Sequence, residues 1–441
     1  MTDQNNFQKF NNRSKKTLLI YPQSFEPNVV PPLGLSFVAA CLRQAGHEVD
    51  LLDLTVEPRK RPNWDQYSVV GMSLICVNFH NGINIAECIR QKNKDVCIVA
   101  GGPFPDICDK EVLETGLFDV VVHGEGENVF VQLVKALENG KDLRSIKGLS
   151  FYRDGEIIRT ENPAQIEDLD ALPFPAYDLL PIRKYYESSI IASRGCPFSC
   201  IFCTRGPAES KIVRRLSPER AIEWIKLLVE DLSCNKIRFV DSTFTLDQKW
   251  AERICDLIIE RGLKFKWNCQ TRIDRLNSTL LEKMRKTGCT YVNVGAETGN
   301  DEILTLLKKG FSKADIRSGA QIFKYVNAPQ LYINFIIGHP WDTSETICET
   351  VEFAQELEKK FGAKCFFFLM CPFPGTELWE DAEKYGIKIT KNWETFCKTS
   401  FKGNCDRLSA NFSTTHLSRE ELTKLYHKAR RRYNAGLRKV W

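Results

Sequence analysis

Short apolar runs alternate with amphipathic stretches along most of this chain. Residues 17–23 (TLLIYPQ) form an apolar run that ends in turn signals. Residues 31–47 have helical periodicity and begin with proline. Runs at 48–55, 67–75, 96–102 and 118–126 read as short buried strands, with helical patterns at 81–93 and 127–141. Five strands separated by helices predict a doubly wound parallel sheet, with ligands at the carboxyl ends of its strands. Residues 148–161 read as a hairpin turning at Asp154-Gly155. The segment 162–182 holds four prolines without clear periodicity and reads as a linker.

A second alternation begins near 188. Strand candidates lie at 189–195, 236–244, 264–272, 291–299, 331–340 and 365–373. Helical patterns separate them, the first with Ser217 as N-cap and Pro218 at the first helical position. Six β/α repeats predict a barrel or partial barrel with catalytic groups at the carboxyl ends of its strands. The expected division is a tail (1–16), a first domain (17–147), hairpin and linker (148–187), the barrel (188–385) and a C-terminal helical region (386–441). The last stretch ends in a basic helix that reads as a solvated face.

Composition narrows the class. The 441 residues are 43% apolar and 27% charged, which excludes disorder as the overall state and suits two to three domains. A net charge of +5 gives no support to a nucleic-acid-binding surface. The apolar run 365–371 stops at Pro372, short of the ~18–20 residues a membrane helix needs. The N-terminus is polar and basic without an apolar core, so no secretory signal is expected and a cytoplasmic location is. Seventeen cysteines in such a chain point to reduced thiols. Cys255, Cys289 and Cys348 fall in helix or strand patterns as small hydrophobes.

Three cysteines do not fit that description. RGCPFSCIFC sets Cys196, Cys200 and Cys203 in a C-x3-C-x2-C run directly after the first barrel strand. Three thiolates on one loop can hold three irons of a 4Fe–4S cluster and leave the fourth open to a small molecule. Structural zinc wants four closed ligands, and no fourth Cys or His lies nearby in sequence.

The triplet, with Phe202 before its last cysteine, resembles the signature of the radical S-adenosylmethionine (SAM) superfamily. The resemblance implies that the open iron chelates SAM and that one electron cleaves it to methionine and a 5′-deoxyadenosyl radical. YVNVGAETG places Gly295 and Glu297 where the family approaches SAM; a helix N-terminal acid is the alternative reading. Asp241, followed by Ser242 where many relatives carry a second acid, is a further SAM candidate. So is Arg272, for which a surface ion pair is the alternative. CPFPGTELW (371–379) resembles the family's closing loop.

The first domain resembles the cobalamin-binding domain that precedes many radical SAM barrels. The matching segments supply Pro32 and Gly34; Gly101, Gly102 and Pro103; and Gly124, Glu125 and Gly126. Glycine there lets backbone approach a large flat ligand, though the same residues make tight turns. The D-x-H-x-x-G motif that supplies an axial histidine in methionine synthase-type carriers is absent, which implies cobalamin without a protein His ligand. His80 and His123 are the loop histidines that remain to be placed.

The implied fold is therefore α/β: a Rossmann-like cobalamin-binding domain, a partial (β/α)6 radical SAM barrel and a short helical C-terminal region. The implied chemistry is methylation of an unactivated carbon or a phosphinate, with cobalamin as methyl carrier. Ring formation, rearrangement or dehydration is the alternative, with or without bound cobalamin; a non-catalytic corrinoid or iron–sulfur protein is a third reading. Methylthiolation is disfavoured, because Cys41, Cys76, Cys88, Cys97 and Cys108 show no ligand grouping. The reaction also implies an electron donor such as flavodoxin or ferredoxin. After the fifth barrel strand, His339 and Trp341 stand as substrate-side candidates, His339 as an acid or base. Cys371 reads as inert filler.

Overall fold

A computed structural model describes residues 16–24, 30–204, 211–327, 329–390, 393 and 408–438. The chain divides into two compact units, the first ending at Tyr186 and the second beginning at Glu187. The expected N-terminal tail lies outside the described residues, apart from Lys16.

In the first unit the elements run β1 (Thr17–Tyr21), α1 (Leu33–Gln44), β2 (Val49–Asp53), β3 (Val69–Ser73), α2 (Phe79–Lys92), β4 (Cys97–Gly101), α3 (Pro103–Ile107), α4 (Asp109–Leu113), β5 (Val120–Val122), α5 (Gly126–Glu138), β6 (Leu149–Arg153) and β7 (Glu156–Arg159). The sheet order is β2-β1-β3-β4-β5-β6-β7, and β1 to β5 are parallel. Runs such as VVV in β5 are apolar on both faces because helices cover both sides of the sheet. Leu19, Val99, Val120, Phe130 and Leu133 meet in the core. The chain reverses its direction of growth between β1 and β3, which opens a ligand-accepting crevice at their carboxyl ends.

The hairpin expected at the start of a linker belongs instead to this sheet. β6 pairs antiparallel with β5 (Val120↔Phe151, Val121↔Ser150, Val122↔Leu149). The reason is that β5 would otherwise leave its edge groups unpaired, and Leu149 and Phe151 carry buried side chains into the core. The proline-rich stretch is also packed down. Ala176 N donates to Ser36 O at 3.0 Å, and Tyr185 Oη donates to Asp53 at 2.9 Å.

The second unit continues with β8 (Ser188–Ile190), β9 (Ser193–Arg194), β10 (Arg214–Arg215), α6 (Pro218–Lys226), β11 (Lys236–Phe239), α7 (Gln248–Glu260), β12 (Lys266–Thr271), α8 (Ser278–Lys286), β13 (Cys289–Glu297), α9 (Asp301–Leu306), α10 (Lys313–Tyr325), β14 (Gln330–Ile337), α11 (Ser344–Phe361), β15 (Lys364–Leu369), α12 (Glu377–Glu380), β16 (Lys388–Ile389), β17 (Phe412–Ser413) and α13 (Arg419–Arg438). Six parallel strands in the order β15-β14-β13-β12-β11-β8 make the expected partial barrel. Its helices start where polar side chains accept a free backbone N–H: Ser217, Asp247, Asn277, Asn300, Ser312 and Thr343 each do so. The basic α13 is solvated on one face only. Leu422, Tyr426, Ala429 and Tyr433 are buried against α11 and β15.

Candidate functional site

The cysteine loop leaves β9 through Gly195, and Ile201 at its centre is buried. Ile201 N donates to Leu307 O at 3.4 Å, and Ile201 O accepts from Leu378 N at 3.2 Å. The loop is thus pinned by backbone while its thiols stay accessible. Cys196 and Cys200 are partly exposed and Cys203 is exposed. Among the described residues no three His, Cys, Asp or Glu side chains are gathered as a metal ion would require.

Two buried cations flank this loop. The Arg272 guanidinium lies 3.8 Å over the Phe198 ring and 4.8 Å from the centre of Phe311. Its Nε and Nη2 donate to Asp274, and Nη2 also donates to Lys309 O at 2.7 Å. Lys309 Nζ sits 2.9 Å from Glu297 Oε1 and 5.8 Å from the Phe202 ring centre. Burial pushes the Cys200 thiol up; Lys309 and Arg272 pull it back toward thiolate, and Glu297 opposes them. Lys309 carried no sequence signal, since a KKG run after a helix reads as solvated.

The carboxylate is aimed by its backbone. β13 is irregular between Gly295 and Glu297, and Glu297 adopts φ +71°. A Cβ at Gly295 would lie 2.0 Å from Glu297 Oε1, so a larger residue there would push the carboxylate out of this position. A non-glycine residue in the left-handed region marks local strain of the kind found at functional sites.

Two expected SAM contacts are already engaged. Asp241 is fully buried; Ser193 Oγ donates to it at 2.5 Å and Ala192 N at 3.3 Å. Burial raises its carboxyl to about 6 against those donors. Instead of facing a ligand, Asp241 holds the segment that launches the cysteine loop. Arg272 keeps only Nη1, which is buried without a hydrogen bond among the described residues.

His339 is not at the mouth. It is wholly buried, its ring centre 6.3 Å from that of Phe202 and its Nε2 3.4 Å from Glu297 O. Asp342 accepts from Gly338 N and His339 N and fixes this turn. His339 Nδ1 is buried without a hydrogen bond among the described residues. Trp341 packs edge-on against Tyr385 at 5.8 Å, and Tyr385 Oη donates to Glu377 of α12 at 2.5 Å. It therefore braces the closing loop.

The first unit carries a separate site. Pro32, Gly34, Tyr21, Thr55 and Ser73 line a cleft of about 200 Å³ at the β1/β3 crevice. Gly101, Gly102 and Pro103 close β4 and open α3. Gly102 has φ +97°, and a Cβ there would lie 2.9 Å from Leu74 O, so the tight passage requires glycine. His80 lies in the first turn of α2 and is partly exposed.

His123 ties two of the candidate loops together. Its Nδ1 is 3.2 Å from Asp106 and its Nε2 2.8 Å from Ser150 Oγ and 3.5 Å from Asp109. Asp106 also accepts from Gly124 N at 3.0 Å. With both ring nitrogens committed, His123 is a fastening rather than an axial ligand. Glu125 accepts from Ile166 N at 2.7 Å, and so holds the proline-rich segment. Gly126 begins α5.

Burial favours neutral His123, but its hydrogen bonds to Asp106 and Asp109 outweigh this and raise its pKa above the ordinary 6.5. That contribution is fully present below 6.5 and is lost as pH rises through the raised value. Asp109, held at about 2, acts oppositely: its contribution is present above 3.8 and lost as pH falls toward 2. We expect His123→Gln to flatten the gain in melting temperature that the wild type shows between about pH 8 and 6. Parallel melting curves for the two proteins across that range would remove this role.

Comparison with known proteins follows the same division. The B12 binding domain model matches residues 27–134, and the radical SAM superfamily model matches residues 190–354. An uncharacterized methyltransferase of Pyrococcus horikoshii is 31% identical over 94% of this chain and 91% of its own. The anaerobic magnesium-protoporphyrin IX monomethyl ester cyclase of Rubrivivax gelatinosus is 26% identical over 80% of this chain and 66% of its own. The structure of the radical SAM methyltransferase TsrM from Kitasatospora setae, with cobalamin and a [4Fe-4S] cluster bound, shares the fold. It superposes with a TM-score of 0.75 at 17% identity, covering 96% of this chain and 89% of that one. By its two matched domains and its full-length relative, the chain belongs to the cobalamin-dependent radical SAM enzymes, whose cofactors are a 4Fe–4S cluster, SAM and cobalamin.

Proposed function

We propose that the protein methylates an unactivated carbon or a phosphinate centre of a substrate held in the barrel of the second unit. The observation that carries this reading is the pairing of a B12-binding fold with a cysteine loop framed by Arg272, Lys309 and Glu297. The donor set fits a cluster: three thiols stand within eight residues, and although burial pushes the Cys200 thiol up, Lys309 and Arg272 partly offset that rise. When bound, the cluster and SAM supply the 5′-deoxyadenosyl radical, and cobalamin carries the methyl group.

The chain's own residues then have these roles. Cys196, Cys200 and Cys203 are the iron ligands. Glu297 and Arg272 Nη1 present an anion and a donor toward SAM, Phe202 and Gly295 shape its berth, and buried His339 positions Phe202 and the Glu297 backbone. Lys309 holds the Glu297 carboxylate in place at 2.9 Å. In the first unit the crevice at Pro32 and Gly34 and the loops at Gly101–Pro103 and Gly124–Gly126 hold the corrinoid. Flavodoxin or ferredoxin is the electron donor, and the cytoplasm is the location. Ring formation is the second reading, favoured by the cyclase relative.

The test is anaerobic. Protein from cobalamin-fed cells is reconstituted with iron and sulfide and incubated with SAM and a reductant. Stoichiometric corrinoid, with 5′-deoxyadenosine and S-adenosylhomocysteine both formed, is the expected result. 5′-Deoxyadenosine from protein that binds no corrinoid would replace methyl transfer with corrinoid-independent chemistry.

A further inference from the structure

We propose that the concave face of the second sheet receives a planar ring system as the body of the substrate. The inference rests on the reading of the second unit as the catalytic barrel, and it names a substrate class for it.

β15 shows the face directly. Cys365 and Phe367 point toward the outer helices: Cys365 Sγ lies 3.6 Å from Ala354 O of α11, and Phe367 packs on Tyr433 of α13 at 5.3 Å. Side chains alternate along a strand, so Phe366 and Phe368 point to the opposite, concave side. They are 42% and 51% exposed. Neighbouring strands continue the surface. Tyr332 of β14 meets Phe366 edge-on at 5.3 Å and stacks on Tyr291 of β13 at 4.6 Å and 17°. Ile336 pairs in register with Phe368 and leads, along β14, into Gly338 and His339. The aromatic face is therefore continuous with the site around the cysteine loop.

Its polar end is self-neutralised. Arg238 and Glu187 form an ion pair, and Asn268 Nδ2 donates to Glu187 at 3.0 Å. Lys364 Nζ lies 5.9 Å from the centre of the Tyr332 ring, so a cation also borders the aromatic run. Asn293, in register with Gln270 and Tyr332, holds a buried side-chain oxygen with no hydrogen bond among the described residues. Asn334, in register with Phe366, and Gln270 share this face with Asn293, so a run of ring faces with amides beside it suits a flat body that carries a few polar groups on its edge.

Pyrene serves as a planar, uncharged probe for the cobalamin-loaded, reconstituted full chain, with its fluorescence titrated anaerobically. Phe366→Ala/Phe368→Ala should weaken pyrene binding by about tenfold or more. Phe366→Leu/Phe368→Leu, which keeps the apolar volume, should also weaken it. Tyr325→Ala, at an 87% exposed position at the end of α10, should bind as the wild type does. Unchanged binding in the leucine pair, or displacement of pyrene by dodecanol as readily as by a second planar hydrocarbon, would overturn the ring-system assignment. S-adenosylhomocysteine formation is assayed on the same wild-type preparations. Its absence alongside intact pyrene binding would remove the methylation reading and leave this one standing.

Discussion

Cys200→Ala is expected to yield a folded protein that cannot retain a cluster and that turns SAM over no faster than iron-free protein. The physical basis is the separation between what holds the loop and what the loop offers. Ile201, not the thiols, anchors the segment, through backbone bonds to Leu307 and Leu378. Asp241 secures its entry through Ser193 and Ala192. Replacing a partly exposed thiol by a methyl disturbs neither. Iron analysis, electron paramagnetic resonance of the reduced protein and 5′-deoxyadenosine formation report the loss; circular dichroism reports the retained fold. A Cys200→Ala protein that still made 5′-deoxyadenosine would remove the cluster from this loop.

The second large effect concerns stability. The side chains of Lys309 and Glu297 are only 7% and 9% exposed, and they answer each other at 2.9 Å. Breaking a buried pair strands a charge, which costs about 3–5 kcal/mol. For a unit of this size Lys309→Met should therefore lower the melting temperature of the second unit by about 6–20 °C. Glu297→Gln added to that variant should restore most of the loss, because the amide leaves no net charge to bury. Calorimetry of the single and double variants separates the two. A single variant as stable as the wild type would mean that water or a rearranged neighbour already compensates the carboxylate.

Particular residues show where sequence reasoning reached and where it stopped. The alternation of apolar runs and capped helices was legible because each element carries its own period and its own start signal. The hairpin at 149–159 was recognisable as a hairpin, but its partner β5 lies outside its local sequence, so its place in the first sheet was not. The cysteine triplet was legible from spacing alone. Asp241 and Arg272 stand at strand ends as expected, yet no pattern tells whether a side chain's atoms are already taken by Ser193 or Asp274. Lys309 was missed for the opposite reason: charge predicts solvent, and only the Glu297 carboxylate explains its burial. CFFFLMC reads as an apolar strand without a polar face, and only the placement of the outer helices shows that Phe366 and Phe368 turn to the other side from Phe367.

The fastening of Ile201 also orders events in time. Its backbone partners, Leu307 and Leu378, lie in later β/α units of the same barrel. A ribosome that has just released the cysteine loop has made neither. The loop gains its final shape only when the last strand and the closing turn have emerged and docked. Thiols displayed before that point would be an unshaped, oxidisable chelator. Iron would meet the loop in its final shape only once the barrel is complete, and a chain truncated before residue 378 should retain no cluster.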